Sequence, residues 1–244
     1  MAFSFVMEQR SKKRPAPVPI FVLRGHSAPV YSCAFSDDSG QRFVSGGGDG
    51  TLMVWDTDTK RCSSRYAGAH GDKAINSLGF FGPEKLWSQG RDGFIKQWDL
   101  QTEQCVSAHD IGCHSFVSMS RLVVKKEEGL AEEPICFAAV PDSEDMKGVV
   151  LLRLDARAKD VSVVKQWAGN PKHGMCMRLN LLNSASKVVC GYESGHVVIH
   201  EEHDETQVVD TSIQFPITAL AIDEETGLGC LGGAETTLLP FKMR

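Results

Sequence analysis

Apolar and polar positions alternate along this chain in short runs, each closed by a turn. Between residues 30 and 35, Val30, Ser32 and Ala34 face one way and Tyr31, Cys33 and Phe35 the other. Strict two-residue alternation over a handful of positions predicts a half-buried β-strand. Further strands are predicted over residues 20–23, 42–45, 51–55 and 61–66, with Asp37-Asp38-Ser39-Gly40 and Gly46-Gly47-Gly48-Asp49-Gly50 as turns between them. Gly and Asp cluster there because both tolerate the backbone angles of tight turns. Nowhere is a 3.6-residue apolar period sustained, so the chain is predicted to be all-β.

These strands recur as a unit. Gly25-His26 opens the first copy and Trp55-Asp56 closes its third strand. In the second copy Ala69-His70 stands in the Gly-His place, strands are predicted over residues 74–80, 86–88 and 94–98, and Trp98-Asp99 closes. Trp55 and Trp98 lie 43 residues apart, and Ser45, Asp49 and Trp55 keep the same mutual spacing as Ser88, Asp92 and Trp98. A period of about 40–45 residues with four short strands, Gly-His and Trp-Asp is the signature of a WD-repeat β-propeller blade. One such sheet cannot cover its own faces, so the unit makes sense only in series.

Later copies are weaker. Residues 149–155 form a third version of the Trp-Asp strand with Leu154 in the Trp place, after a charged segment over 125–133 that reads as a loop inserted within the blade. Residues 191–201 align with the first unit, with His200-Glu201 for Trp-Asp. A fifth copy runs through strands at 217–222 and 231–235 to Phe241-Lys242. Five recognisable blades follow, over about 25–66, 70–107, 114–167, 174–211 and 216–244. Residues 1–19, with Arg10, Lys12, Lys13, Arg14 and three prolines, read as a flexible basic tail. The basic cluster is either a nuclear import signal or a solvated tail. Without complete Trp-Asp sets, blades three to five are expected to rest on aliphatic packing and to be locally less stable.

Composition narrows the function classes. Hydrophobic residues at 42% and charged residues at 23% are globular values. A net charge of −5 argues against broad binding to nucleic acid or anionic membranes. No apolar run reaches the roughly 18–20 residues that cross a bilayer. The eight cysteines are scattered, several within apolar runs, which suits free thiols in a reducing compartment. Cytoplasmic and nuclear localisation is the expectation.

Candidate chemistry is sparse. A Ser, His and Asp in each of the first two units invite a catalytic reading, but one trio repeated at one spacing is better explained as architecture. Cys105, His109, Cys113 and His114 fall close together, yet their spacing builds no zinc knuckle. Gly46 to Gly50 precedes a strand, whereas a phosphate cradle needs a following helix. The residues 201–205 read as a solvated acidic turn. No catalytic residue, metal or cofactor is expected, and an enzyme is not.

In WD-repeat propellers, which these units resemble, a Ser or Thr, the turn Asp and the loop His form a hydrogen-bonded chain to the Trp. Carried over, the resemblance implies two structural sets: His26, Ser45, Asp49 and Trp55, then His70, Ser88, Asp92 and Trp98. Three stretches narrow it further. They are Leu86-Trp87-Ser88-Gln89-Gly90-Arg91-Asp92, Gly174-Met175-Cys176-Met177-Arg178-Leu179 and Gly191-Tyr192-Glu193-Ser194-Gly195-His196-Val197-Val198. With residues 21–25 they resemble the family of ASTRA-associated WD-repeat proteins, called guanine nucleotide-binding protein subunit beta-like in animals. That resemblance implies a seven-bladed ring without enzymatic activity. It also implies a protein-interaction scaffold linked to the co-chaperone assembly that matures phosphatidylinositol 3-kinase-related kinases, and in fungi to a chromatin-associated complex. A substrate receptor of a ubiquitin ligase is the alternative. Five units instead of seven suggest an incomplete ring, and residues 20–23 would be the strand that closes it. The turn residues Gln89, Arg91, Tyr192 and Glu193 are the candidate partner contacts. With three prolines and no heptads, residues 1–19 lack the coiled-coil helix of signalling β subunits.

Overall fold

The computed structural model describes residues 18–36, 40–82, 84–120, 123–125, 135–155, 158–182, 185–201, 206–209, 211, 213–233 and 238–243. The basic cluster of the tail and the inserted segment 126–134 lie outside them. The described residues form five antiparallel sheets in chain order. The first holds β1 (Val30–Phe35), β2 (Arg42–Gly47), β3 (Leu52–Asp56) and β4 (Arg61–Tyr66). The second holds β5 (Ile75–Phe80), β6 (Lys85–Gly90), β7 (Phe94–Asp99) and β8 (Gln104–Asp110). The third holds β9 (Val123–Lys125), β10 (Ile135–Pro141), β11 (Val149–Asp155) and β12 (Asp160–Trp167). The fourth holds β13 (Cys176–Leu181), β14 (Lys187–Tyr192), β15 (Val197–Glu201) and β16 (Thr206–Val209). The fifth has three strands, β17 (Ile217–Asp223), β18 (Leu228–Gly233) and β19 (Leu239–Lys242). Each strand pairs with the next as a meander, and the only helical turn among the described residues is a short 3-10 turn at Pro171–His173.

Burial follows strand position. Leu52, Met53, Val54 and Trp55 of β3 are all buried, whereas β4 alternates exposed and half-buried. A central strand of a blade is covered on both faces by neighbouring blades and reads as a continuous apolar run; an outer strand keeps one wet face. The core is accordingly split among the seams. Val44, Leu52 and Val54 meet Ile75, Leu86 and Trp98 between sheets one and two. Trp87 and Ile95 meet Cys136, Leu152 and Leu154 between two and three. Leu151 and Trp167 meet Leu181 and Val188 in the next seam, and Val189 and Ile199 meet Ile217 and Leu231 in the last.

One position on the second strand of each blade sets how closely the next blade approaches. A Cβ on Gly46 would stand 2.6 Å from Ile75, and one on Gly191 2.7 Å from Ile217, so bare backbone is required there. Blade three has the small Ala139 at this place, in one cluster with Cys176. Blade two has Gln89. Its amide donates to the Val117 carbonyl at 3.4 Å and accepts from the Met119 N–H at 2.7 Å. Asn76 adds a bond to the Ser115 carbonyl at 2.7 Å, and the Ser118 hydroxyl donates to the Asn76 carbonyl at 2.9 Å. Residues 115–120 thus line the inner side of blade three without regular strand pairing, the Ser115 and Val117 carbonyls and the Met119 N–H satisfied by side chains of blade two and the Ser120 N–H by the Ala139 carbonyl.

One expected strand is absent. Residues 20–23 pair with no strand, and Ile20 and Val22 are 94% and 60% exposed. Their apolar pattern is that of a strand, but strand pairing needs a free sheet edge in register, and they lie beside none. The Lys60 ammonium lies 6.0 Å from the centroid of the Phe21 ring.

Candidate functional site

The Ser, His and Asp groups of the first two blades lie where turns and inter-blade loops converge. In blade two they form one connected chain. Trp98 Nε1–H donates to Ser88 Oγ at 2.8 Å, Ser88 Oγ lies 2.7 Å from His70 Nε2, and His70 Nδ1 lies 2.8 Å from Asp92 Oδ1. Ser88 and His70 have no exposed surface. Burial lowers the His70 pKa and outweighs the pull of Asp92. A neutral ring with its proton on Nδ1 satisfies every bond: it donates to Asp92 and accepts from the Ser88 hydroxyl. Burial works to raise the Asp92 pKa, but the bond from His70, the Phe94 N–H and the Lys96 ammonium together hold it low. Lys96 also donates to the Ala69 carbonyl at 2.7 Å, bracing the loop that carries His70.

Blade one builds a shorter version. Trp55 Nε1–H donates to Ser45 Oγ at 2.7 Å, and His26 Nε2 lies 2.7 Å from the same oxygen. Asp49 does not complete this chain. It accepts from the Ser27 hydroxyl at 2.7 Å and the Thr51 N–H at 3.1 Å, leaving His26 Nδ1 without a partner among the described residues. The difference lies in the residue after the His. Ser27 competes for the carboxylate, whereas Gly71 in blade two has no hydroxyl. Gly50 and Gly93, which close the two Asp turns, have φ of +71° and +89°, a region a Cβ disfavours.

Blade four fills the Trp place with a ring stack instead of a hydrogen-bonded chain. His200, in the Trp place, stacks on Trp167 from blade three, ring centroids 5.4 Å apart and planes at 25°. Burial brings the His200 pKa down to about 4. Blades three and four are therefore not held by aliphatic packing alone: the aromatic that blade four lacks at its own Trp place is supplied across the seam. Trp167 ends the outer strand of its blade, as Tyr66 ends β4, and Tyr66 meets Trp98 across the first seam with ring centroids 5.3 Å apart.

The four candidate contact residues divide evenly. Arg91 and Glu193 are exposed on their turns. Gln89 and Tyr192 are buried, at 0% and 1% exposure. Gln89 is spent on blade three, as above, and the Tyr192 hydroxyl donates to the Lys147 carbonyl at 3.1 Å. Neither is available to a partner, so both assignments are corrected here. Gln89 is the last residue but one of β6 and Tyr192 the last of β14, and both side chains point into a seam; position beside a turn was misleading. Cys105, His109, Cys113 and His114 do not converge: the Cys105 thiol turns to the Ser107 carbonyl, His109 donates to Lys159, and His114 to Arg91. All eight cysteines are free, and burial pushes the Cys136 thiol up to about 12.

Residues 17–56 match the family model of the WD domain, G-beta repeat. The chain carries a WD repeat, and its described residues have a β-propeller fold. Its fold is similar to the β-propeller domain of Cps50 (Swd1) from Myceliophteria thermophila, with a TM-score of 0.68, 18% identity, and coverage of 89% of this chain and 66% of that one. In sequence this WD-repeat chain is similar to ASTRA-associated protein 1 of Penicillium rubens, 26% identical over 79% of this chain and 52% of the relative. It thus spans about half the length of that relative. A shorter stretch, 18% of the chain, is 54% identical to human transducin beta-like protein 2.

Proposed function

We propose that this chain is a non-catalytic protein-interaction scaffold that acts with the co-chaperone complex maturing phosphatidylinositol 3-kinase-related kinases, with a chromatin-associated complex, or with both. One observation carries the non-catalytic part. The groups that could form a hydrolytic trio are consumed as internal struts: Ser88 and His70 are inaccessible to a substrate, and their bonds end on Trp98. What the blades leave at the surface is a face of turns, the usual platform for a protein partner. Similarity to a protein named for its association with ASTRA supports membership of an assembly. A cytoplasmic and nuclear distribution belongs to the same proposal.

Affinity purification of the tagged chain tests it. Recovery of the kinase co-chaperone assembly is the expected result. Recovery of ribosomes or proteasomes alone would sink the reading.

A further inference from the structure

Where blades one, two and three meet, five elements enclose a cavity of about 440 Å³. Tyr31 comes from the start of β1, Gly48 from the turn after β2, Lys73 from the loop before β5, Arg91 from the turn after β6, and His114 from the connection after β8. The pocket opens on the face that carries the Asp turns.

We propose that this pocket receives an anionic side chain, carboxylate or phosphate, presented by an extended segment of a partner protein. The proposal rests on the scaffold reading and names the partner chemistry. Three observations carry it. First, the Arg91 charge is not neutralised from within. Asp49 is committed to Ser27 and Thr51, and Asp92 to His70, Lys96 and Phe94. Only Asp72 shares the pocket, in a 3.3 Å pair with Lys73 whose side chains are 87% and 57% exposed; so exposed a pair is readily exchanged for a better one. Second, Arg91 is prepared. Its backbone N–H donates to the Ala74 carbonyl at 2.9 Å and its carbonyl accepts from the His114 ring at 3.2 Å. Its guanidinium makes no bond among the described residues. A fixed backbone beneath a free guanidinium suits a carboxylate or phosphate, which Arg grips with two parallel N–H bonds. Third, Tyr31 gives the pocket an aromatic wall, and Phe116, outside the lining, is a second exposed aromatic close by in sequence. Tyr31 is 60% exposed, and its ring lies against Gly48, where a Cβ would come within 2.9 Å. Phe116, two residues beyond His114, is 46% exposed. Cations beside exposed aromatics favour a peptide over a bare ion. On a chain of net charge −5, such a pocket also directs an acidic segment to one place.

Fluorescence anisotropy on the full chain tests this with three labelled nonapeptides: one of alternating Glu and Gly, one with a central phosphoserine, and one with Gln for every Glu. At least one anionic peptide should bind about tenfold more tightly than the Gln peptide, and Arg91→Glu or Lys73→Glu should abolish that preference without changing thermal melting. A tenfold advantage for the phosphopeptide assigns phosphate; equal binding of the two anionic peptides assigns carboxylate. Lys60→Glu, on a turn at the opposite end of the strands, changes net charge equally and should leave affinity within about twofold. No preference over the Gln peptide, an Arg91→Glu variant that binds as before, or a Lys60→Glu variant as impaired as Arg91→Glu each overturns the assignment. Such a failure would leave co-purification with the co-chaperone untouched, so the two readings fall separately.

Discussion

Replacing Ser88 with Ala removes one oxygen and orphans two buried groups. Trp98 Nε1–H loses its acceptor at 2.8 Å and His70 Nε2 its donor at 2.7 Å. Neither is replaced by water, since His70 is fully enclosed and Trp98 is 5% exposed. Each buried polar group left unsatisfied costs about 1–3 kcal/mol, so the variant should lose about 3–4 kcal/mol. For a domain of this size that is roughly 6–16 °C in melting temperature. Ser45→Ala is the internal control. It orphans Trp55 in the same way, but His26 is only half-buried and already lacks a partner at Nδ1, so water recovers part of the loss and about 1–2 kcal/mol should result. Urea denaturation of both variants, followed by tryptophan fluorescence and far-ultraviolet circular dichroism, measures the difference. Equal losses in the two variants, within about 0.5 kcal/mol, would refute the claim that blade two's chain is the stronger because it is closed and dry.

Other outcomes follow from the same geometry. Trp98→Ala should cost about 3–5 kcal/mol, since the ring fills the first seam and meets Tyr66 edge-on at 5.3 Å; unchanged melting would place Trp98 outside the core. Gln89→Ala should lose about 2 kcal/mol, because the Met119 N–H and the Val117 carbonyl lose their partner, and amide exchange should rise first in residues 115–120. With pH, burial holds His200 at about 4 in the folded chain against 6.5 as the ordinary value. The unfolded chain therefore takes up the proton first as pH falls. This contribution is fully present above about pH 6.5 and is lost by about pH 4, to a total of about 3 kcal/mol. His26, His70 and His173 are lowered as well and add in the same sense. His200→Phe keeps the stack on Trp167 and should shrink the stability difference between pH 7 and pH 4; a profile identical to wild type would show that His200 does not carry it.

The blades were legible because their signal is local. Two-residue alternation and Gly/Asp turns predict β1 and β4 at Val30–Phe35 and Arg61–Tyr66 as the structure has them. The repeated spacing of Ser, Asp and Trp leads to the two Trp-centred sets. What escaped is decided across a seam. Residues 115–120 have no strand pattern because Gln89 and Asn76 stand in for a paired neighbour. Gln89 sits beside a turn and looks like surface, yet occupies the place of Gly46 and Gly191. Ser27 diverts Asp49, although nothing in the motif marks a hydroxyl one residue after the His. Residues 20–23 show the converse: an apolar run has strand propensity with or without an edge to join.

The seam between blades two and three has a mechanical consequence. At its inner rim the Asn76 and Gln89 amides tie it shut. Towards the outside, a cavity of about 470 Å³ lined by Ala108, Val161 and Val163 lies between β8 and β12, and the His109 ring reaches across to the Lys159 carbonyl at 2.7 Å. A joint tied along one margin and hollow along the other yields first on the hollow side. Loosening there would be absorbed at the periphery, while the Asn76 and Gln89 bonds kept the inner margin at its spacing.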